Sequence, residues 1–321
     1  MTDLPATREQ TAIVTDVTSL LDDWLRYCRD ADDVSPATIT AYRRGMEIFT
    51  DWLRDTGNVG AVTPAAVVRF KGWLAESYSP QTVNLRLSAV RSFYRWCVVT
   101  ERLPASPAES VKGAKRPKSR MHKRDALANG EVLAVLATCD PGTLAGVRDA
   151  AILSLMAYGA LREIEVHRAN IGNLKTQGDR LVLEVQGKGR READEIIVIP
   201  ASQESVVREW IAHRMTFVEH GDDAPLFVSL SNRTRGNRLT TRAIRAIVKD
   251  RYAQAGVVGN RKTTHSLRHS AITNAIRRGA TPMQVQAMAR HSSFDTTLGY
   301  FHQEARTANP AEDFIEYGET V

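Results

Sequence analysis

The chain has 321 residues and a net charge of +6, with 43% hydrophobic and 25% charged residues, which is an ordinary balance for a globular protein. A chain of this length is expected to form about two domains, each with its own core. No basic-then-apolar leader opens the sequence, and no apolar run approaches the roughly 18 residues of a membrane span. These features argue against a secreted or membrane protein and favour a cytoplasmic one.

Metal and nucleotide cofactors are not expected. The three cysteines, Cys28, Cys97 and Cys139, lack the spacing of a metal site or a disulfide framework and are interpreted as small core residues. The phosphate-binding patterns Gly-x-x-x-x-Gly-Lys-Ser/Thr and Gly-x-Gly-x-x-Gly are both missing from the sequence. The sequence therefore predicts chemistry without a metal, ATP or a dinucleotide.

The positive charge is concentrated in the second part of the chain. Residues 1–111 contain 12 Lys and Arg against 14 Asp and Glu, whereas residues 112–321 contain 31 against 23. The last 21 residues reverse the excess, with five acidic side chains and one arginine. A basic body suggests a polyanionic partner, and an acidic tail is better suited to contact with protein.

Residues 15–103 are predicted to form an all-helical bundle, preceded by a flexible arm over residues 1–14. Apolar residues recur at helical spacing from Thr15 to Asp30. About three further helices are predicted by one signature, an N-cap hydroxyl followed by proline at the first helical position. The signature occurs at Ser35-Pro36, Thr63-Pro64 and Ser79-Pro80.

Residues 104–124 are predicted to be a basic interdomain linker. Seven of the thirteen residues from Lys112 to Arg124 are Lys or Arg and none is acidic, a density that suits contact with phosphates. The candidate DNA contacts here are Lys115, Arg116, Lys118 and Arg120. On the preceding helix Arg86, Arg91 and Arg95 are also candidates, and a solvated helix face explains them equally well.

Residues 125–303 are predicted to form an α+β domain, so the fold class is mainly α: a helical bundle followed by a mostly helical domain with a small antiparallel sheet. Helices are predicted over about 129–137, 144–158, 202–217 and 240–255, with more after Ser270 and Thr281. The runs Arg180–Gln186 and Glu195–Pro200 are predicted to pair as a hairpin around Gly187-Lys188-Gly189.

Six residues in this domain have side chains suited to phosphate chemistry: Arg162, Lys188, His265, Arg268, His291 and Tyr300. Taken singly, each has an ordinary explanation, such as a helix cap for Arg162 or a core position for Tyr300. A metal site built on His265 and His269 would lack a nearby carboxylate or cysteine.

The order of these six residues resembles the tyrosine recombinase (phage integrase) family, and the resemblance covers most of the chain. The helical domain resembles the core-binding domain of the family, and residues from about 125 to 302 resemble its catalytic domain. With no arm-binding domain visible before residue 15, the chain resembles the simple Xer or Cre type. One departure is Ala289-Arg290, where the family often has Leu-Gly before the last His.

The resemblance implies a catalytic set of Arg162, Lys188, His265, Arg268, His291 and Tyr300. In this scheme Tyr300 attacks a DNA phosphate and forms a 3′-phosphotyrosine, while the two arginines stabilise the charge of the transition state. Lys188 would protonate the departing 5′-oxygen, His265 would assist proton transfer at Tyr300, and Glu165 would orient the basic groups without joining the set.

The implied partners are a double-stranded DNA recombination site and three further copies of the chain in a tetramer, with accessory DNA-bending or directionality proteins as further candidates. The acidic tail, 304–321, is expected to contact a neighbouring subunit or to pack on its own domain. A type IB topoisomerase-like enzyme and a non-catalytic DNA-binding protein are the alternative functions. The sequence leaves open which DNA site is the target, and whether the chain recombines a mobile genetic element, a plasmid or a chromosome. The chain is expected to act at the nucleoid.

Overall fold

The computed structural model describes residues 17–57, 62–115, 125–187, 192–218 and 221–308, together with 310, 313 and 315. The chain divides into two compact units, Met1–Lys118 and Ser119–Val321. Among the described residues, no helix has both the length and the hydropathy needed to cross a membrane.

Within its described residues the first unit contains four helices, and the capping signature correctly predicted where three of them begin. The helices are α1 (Val17–Asp30), α2 (Pro36–Asp55), α3 (Pro64–Ser77) and α4 (Pro80–Val99). Ser35, Thr63 and Ser79 each accept a hydrogen bond from the backbone N–H three residues later. Each cap satisfies an N–H group that the first helical turn leaves without an intrahelical partner.

Aromatic side chains fill the core of this bundle. Trp24, Phe49, Phe70 and Phe93 are each inaccessible to solvent. The rings of Phe49 and Phe70 pack edge to face with their centroids 4.8 Å apart, and those of Trp24 and Phe93 do so at 5.6 Å. This arrangement favours contact between the positive edge of one ring and the negative face of the next.

The segment that follows α4 belongs to the first unit as far as Ala114. Ala108 and Val111 are buried in the aromatic core, and Asn84 exchanges two hydrogen bonds with the backbone of Ala114, of 2.7 and 3.0 Å. Residues as far as Ala114, which the sequence analysis assigned to the linker from residue 104 onward, therefore pack on the first unit. Residues 104–114 pack through isolated small apolar residues such as Ala108 and Val111, which produce no periodic pattern in the sequence.

Some of the candidate DNA contacts donate hydrogen bonds to backbone carbonyls of the first unit, and others are exposed. Arg86 donates to the carbonyl of Ala41 at 3.5 Å, and Arg91 donates to the carbonyl of Val111. Arg95 and Lys115 are exposed. The remaining candidates, Arg116, Lys118 and Arg120, lie outside the described residues.

The second unit is α+β, as predicted. Its helices are α5 (Asn129–Ala137), α6 (Leu144–Tyr158), α7 (Glu163–Arg168), α8 (Ala201–Arg214), α9 (Thr241–Gln254), α10 (His265–Arg277), α11 (Pro282–Ala289) and α12 (Phe294–Ala308), and its strands are β1 (Leu174–Gln177), β2 (Arg180–Val185) and β3 (Glu195–Val198). Helix α6 is largely buried, which agrees with its mostly apolar sequence.

The sheet contains one strand more than the sequence predicted. The three strands are antiparallel in the order β1-β2-β3, and β2 pairs with β3 from Val182↔Val198 to Val185↔Glu195. Strand β1 was missed because its four residues, Leu-Lys-Thr-Gln, are half-buried or exposed and show no apolar alternation. The turn into β2 contains Gly178, whose φ of +63° favours glycine.

Helices α10, α11 and α12 form a small core of their own. Its buried members include Ile272 of α10, Val285 and Ala289 of α11, and Tyr300 of α12. Helix α12 continues to Ala308, so it crosses the predicted boundary between the catalytic domain and the acidic tail at residue 304. Glu304 pairs with Arg277 of α10 at 2.6 Å, which ties this helix to its own unit.

The Ser79 cap provides a test of the first unit. Replacing Ser79 with alanine leaves the N–H of Thr82 without its side-chain acceptor, and the free energy of unfolding is expected to fall by about 1 kcal/mol. Urea denaturation of the whole chain, followed by circular dichroism, measures this change. Gln81→Ala, at an exposed position in the same turn, is the control; equal stabilities for the two variants would contradict the capping role.

Candidate active site

The turn between α6 and α7 carries Arg162 and fixes it against a buried carboxylate. Ala160, inside the turn, has a φ of +52° and is fully buried. Arg162 is the N-cap residue of α7, and Glu165 accepts hydrogen bonds from both its backbone N–H and its Nη1, each at 2.7 Å. The side chain of Glu165 is 0% exposed, so its charge must be balanced by neighbouring cations.

The second cation on Glu165 is Arg290, which follows the end of α11. Its Nη2 donates to Oε2 of Glu165 at 2.9 Å and its Nε donates to Oε1 at 3.4 Å. Burial by itself raises the pKa of Glu165, but the charge and hydrogen bonds of Arg290, followed by those of Arg162, bring this pKa below its ordinary value. Glu165 is therefore ionised at neutral pH.

Arg268 of α10 lies beside this pair and is itself buried. Its Nη1 donates to the carbonyl of Ala160 at 2.5 Å, and its Nη2 donates to the carbonyl of Ala289. Burial, followed by the positive charges of Arg162 and Arg290, lowers the pKa of Arg268. The local environment is thus short of negative charge.

Three guanidinium groups, those of Arg162, Arg268 and Arg290, therefore surround one buried carboxylate. A second carboxylate, that of Glu195 at the start of β3, lies 3.9 Å from Nε of Arg290 and is partly exposed. Even with Glu195 included, positive charge remains in excess. A group of fixed guanidinium donors with unbalanced charge is suited to binding a phosphate.

Tyr300 lies in α12 with its hydroxyl close to His269 of α10. The hydroxyl and Nδ1 of His269 share a hydrogen bond of 2.9 Å, and Tyr300 is 5% exposed. Burial raises the pKa of Tyr300 to about 12, although the charges of Arg268 and Arg162 act in the opposite direction. The phenol is thus protonated at neutral pH and needs a proton acceptor before it can act as a nucleophile.

Two further histidines adjoin Tyr300 and His269. The ring of His291 stacks on Tyr300 with centroids 5.9 Å apart and an interplanar angle of 16°, and its Nδ1 shares a hydrogen bond of 2.9 Å with Thr297. The ring of His265 meets that of His269 edge to face at 5.1 Å. Imidazole groups therefore adjoin the phenol on two sides.

Five of the six residues predicted from sequence thus meet around α10, the turn before α7 and α12: Arg162, His265, Arg268, His291 and Tyr300. Lys188, in the loop between β2 and β3, lies outside the described residues. Arg290 and His269 were not predicted as members of the site. His269 had a usable signal, since it lies one helical turn after His265 and therefore on the same face of α10.

No group of three or more His, Cys, Asp or Glu side chains capable of holding a metal ion occurs in the part of the chain that the structure describes.

Comparison with family sequences covers both units. Residues 125–306 match the Phage integrase family, and residues 21–100 match the Phage integrase, N-terminal SAM-like domain. Tyrosine recombinase XerC of Myxococcus xanthus is 30% identical over 293 residues, which cover 89% of this chain and 94% of the relative. Tyrosine recombinase XerC of Actinobacillus succinogenes is 32% identical over 277 residues, covering 84% and 87%.

Solved structures share the fold at lower sequence identity. The XerH site-specific recombinase, bound to palindromic difH substrate in a post-cleavage complex, aligns with a TM-score of 0.71 at 16% identity, covering 95% of this chain and 93% of that one. A lambda integrase fragment in a dimer bound to a COC′ core site aligns with a TM-score of 0.62 at 13% identity, covering 87% and 96%.

The buried carboxylate predicts a specific loss of stability. Glu165→Gln leaves two arginines without their counter-ion, and the free energy of unfolding is expected to fall by about 3–5 kcal/mol at pH 7. Because the folded-state pKa of Glu165 is lowered, its contribution is present above the unfolded pKa of about 4.3 and is lost as the pH falls through the folded value. Urea titrations from pH 7 downward should show the difference between wild type and variant shrinking in acid. Glu47→Gln, in an exposed pair, is the control, and a variant as stable as wild type at pH 7 would contradict the assignment.

Proposed function

The chain belongs to the phage integrase family, and we propose that it is a site-specific DNA recombinase that works through a 3′-phosphotyrosine intermediate. The observation that carries this proposal is the position of Tyr300, whose hydroxyl shares a hydrogen bond with His269, the residue next to Arg268, and whose ring stacks on His291. This arrangement supplies a nucleophile and the cations that a phosphodiester requires. A protein that only binds DNA has no chemical need for either.

In the proposed cleavage step, the phenolic oxygen of Tyr300 bonds to phosphorus as the bond to the 5′-oxygen breaks. The phenolic proton passes to a neighbouring imidazole, and the departing 5′-oxygen takes a proton from Lys188. Arg162 and Arg268 hold the non-bridging oxygens, where negative charge increases in the pentacoordinate transition state. His291, stacked on Tyr300, donates a hydrogen bond to one of these oxygens.

His269 is proposed as an acceptor for the phenolic proton. The sequence assigned proton transfer at Tyr300 to His265, but the hydroxyl of Tyr300 shares a hydrogen bond with Nδ1 of His269. A neutral imidazole with Nδ1 unprotonated accepts a proton directly along this bond. His265, with its ring 5.1 Å from that of His269, is then suited to contact the phosphate.

Rejoining requires no external energy source. The phosphotyrosine keeps the free energy of the broken phosphodiester, so a 5′-hydroxyl from another strand can attack it and release Tyr300. A reaction that conserves the free energy of the phosphodiester needs no ATP, which agrees with the missing nucleotide-binding patterns in the sequence. Exchange between two duplexes needs four such cleavages and therefore four active sites.

The proposed partners are two double-stranded recombination sites and three other copies of the chain. Among structural relatives, lambda integrase forms a tetramer bound to a Holliday junction, with a TM-score of 0.61 to this chain. The acidic tail, 304–321, lies largely outside the described residues after Ala308; its proposed role is contact with a neighbouring subunit, with packing on its own domain as the alternative. Accessory proteins are proposed to assist assembly. A DNA substrate places the proposed activity at the nucleoid.

A DNA substrate that traps the cleaved state tests the proposal. On a suicide duplex, whose cleaved end diffuses away, wild type is expected to form a covalent protein–DNA adduct and Tyr300→Phe to form none, because only the hydroxyl is removed. Denaturing gel electrophoresis measures the adduct. Tyr158→Phe, at the end of α6, is the matched control.

The outcomes separate the functions. Absence of a wild-type adduct would contradict both the recombinase and the topoisomerase-like alternative. An adduct accompanied by plasmid relaxation, without strand exchange between two sites, would contradict recombination alone.

The role of His269 predicts a change in the pH profile. His269→Asn keeps a polar partner for the hydroxyl but cannot take up its proton, so adduct formation at pH 7 is expected to slow by about 100-fold. Because the pKa of Tyr300 is about 12, the variant should depend on the small phenolate fraction and gain about tenfold in rate per pH unit from 7 to 9. Single-turnover cleavage measures both effects. His302→Asn, at an exposed position of α12, is the control; an unchanged rate and profile in His269→Asn would contradict the role.

A further inference from the structure

Arg290 occupies a backbone position at which a side chain is unfavourable. It follows the last residue of α11 with φ +52° and ψ +51°, in the left-handed region. Its N–H donates to the carbonyl of Ala287, and the N–H of His291 donates to that of Gln286, which is the hydrogen-bond pattern that usually ends a helix with glycine. An arginine in this conformation is strained, so its side chain must supply a compensating contact.

The side chain of Arg290 makes such contacts with two separate segments. Besides the bonds to Glu165, its Nη2 donates to the carbonyl of Ala160 at 2.9 Å and its Nη1 to the carbonyls of Gly159 at 3.3 Å and Met288 at 2.6 Å. The side chain is 2% exposed. Arg290 therefore joins the turn between α6 and α7 to the end of α11.

Both arginines proposed to hold the phosphate are attached to the same two segments. Arg268 donates to the carbonyls of Ala160 and Ala289, so it shares the acceptor at Ala160 with Arg290. Nη2 of Arg162 lies 3.4 Å from the carbonyl of Arg290 itself, to which it donates. A displacement of either segment would thus move Arg162, Arg268 and the adjacent His291 relative to one another.

We propose that Arg290 is a positioning residue for DNA cleavage: it fixes the separation of Arg162, Arg268 and His291 and shares the charge of Glu165 with Arg162. If Arg290 left Glu165, that carboxylate would interact more strongly with Arg162 and reduce the charge that Arg162 offers to the phosphate. Arg290 itself does not contact the reacting atoms. This inference rests on the proposed cleavage reaction and assigns it a residue outside the predicted set.

Arg290→Lys is the most direct test, because lysine keeps the buried positive charge and the same backbone cost. A single ammonium group cannot reach Glu165, Ala160, Gly159 and Met288 together, since it lacks the planar fork of donors. The first-order rate of adduct formation at saturating protein is expected to fall by about 10- to 100-fold, while the Kd for DNA stays within about twofold. Both are measured on the suicide duplex used above.

A second readout separates positioning from a loss of folded protein. With a methylphosphonate at the scissile position, one charged oxygen is missing, so the rate depends less on two correctly placed arginines. The penalty of Arg290→Lys should then be smaller than on the normal phosphate. A defect in folding would lower both rates by the same factor.

Arg251→Lys is the matched control. Arg251 is another largely buried arginine of the same unit; it bonds Asp149 at 2.7 Å and the carbonyl of Thr138 at 2.8 Å, and it belongs to neither segment joined by Arg290. It is expected to lose stability while keeping the wild-type cleavage rate per folded molecule. If Arg290→Lys is too unstable to purify, Glu165→Gln/Arg290→Met removes both buried charges, and is expected to fold and to cleave slowly.

The inference would be overturned if Arg290→Lys, or the double variant in its place, cleaved within about twofold of the wild-type rate at saturating protein. Equal penalties of Arg290→Lys on phosphate and methylphosphonate would also overturn it by showing a purely structural role. Absence of a wild-type adduct would instead contradict the proposed function. The two failures are therefore distinguishable.

Discussion

The site depends on one buried carboxylate, that of Glu165, and on the cations that keep it ionised. With its side chain fully shielded from water, Glu165 requires charged hydrogen-bond donors, and Arg162 and Arg290 supply them from different segments of the chain. The carboxylate balances only part of the charge that it attracts, since Arg268 lies beside the pair. The same ion pairs that hold the α10–α12 region to the turn after α6 therefore leave an excess of positive charge, which is the physical requirement for binding a phosphate.

This excess charge also acts on the nucleophile. Burial against α10 raises the pKa of Tyr300, whereas Arg268 and Arg162 lower it, and burial dominates. The protein alone therefore holds a protonated phenol, bonded to His269, in a site whose arginines still have donors available for an anion. A phosphate would supply the negative charge that the environment of Arg268 lacks. The charges of Arg162 and Arg268 thus act both on the bound phosphate and on the pKa of the nucleophile.

Local chemistry determined which features were predictable from the sequence. Helix starts such as Ser79-Pro80 were predictable because a cap and a fixed φ act within a few residues. Strand β1 was not, because its four residues form a strand only through pairing with β2. Arg290 was visible as a departure from Leu-Gly, but its contact with Glu165 spans 125 residues of sequence and depends on the packing of α11. The spacing of His269 from His265 placed both on one face of α10, but the sequence analysis considered this pair only as a metal site. The role of Lys188 stays a prediction.

The residue that becomes covalently linked to DNA shows whether Tyr300 is the nucleophile. Trypsin cleaves after Arg290 and Arg306, and the peptide between them, His291–Arg306, contains Tyr300 as its only tyrosine. After the suicide reaction, nuclease trimming and tryptic digestion, mass spectrometry should find the residual nucleotide on this peptide, with fragment ions placing it on Tyr300. A nucleotide attached to any other peptide, or to a serine or threonine of this one, would contradict the account.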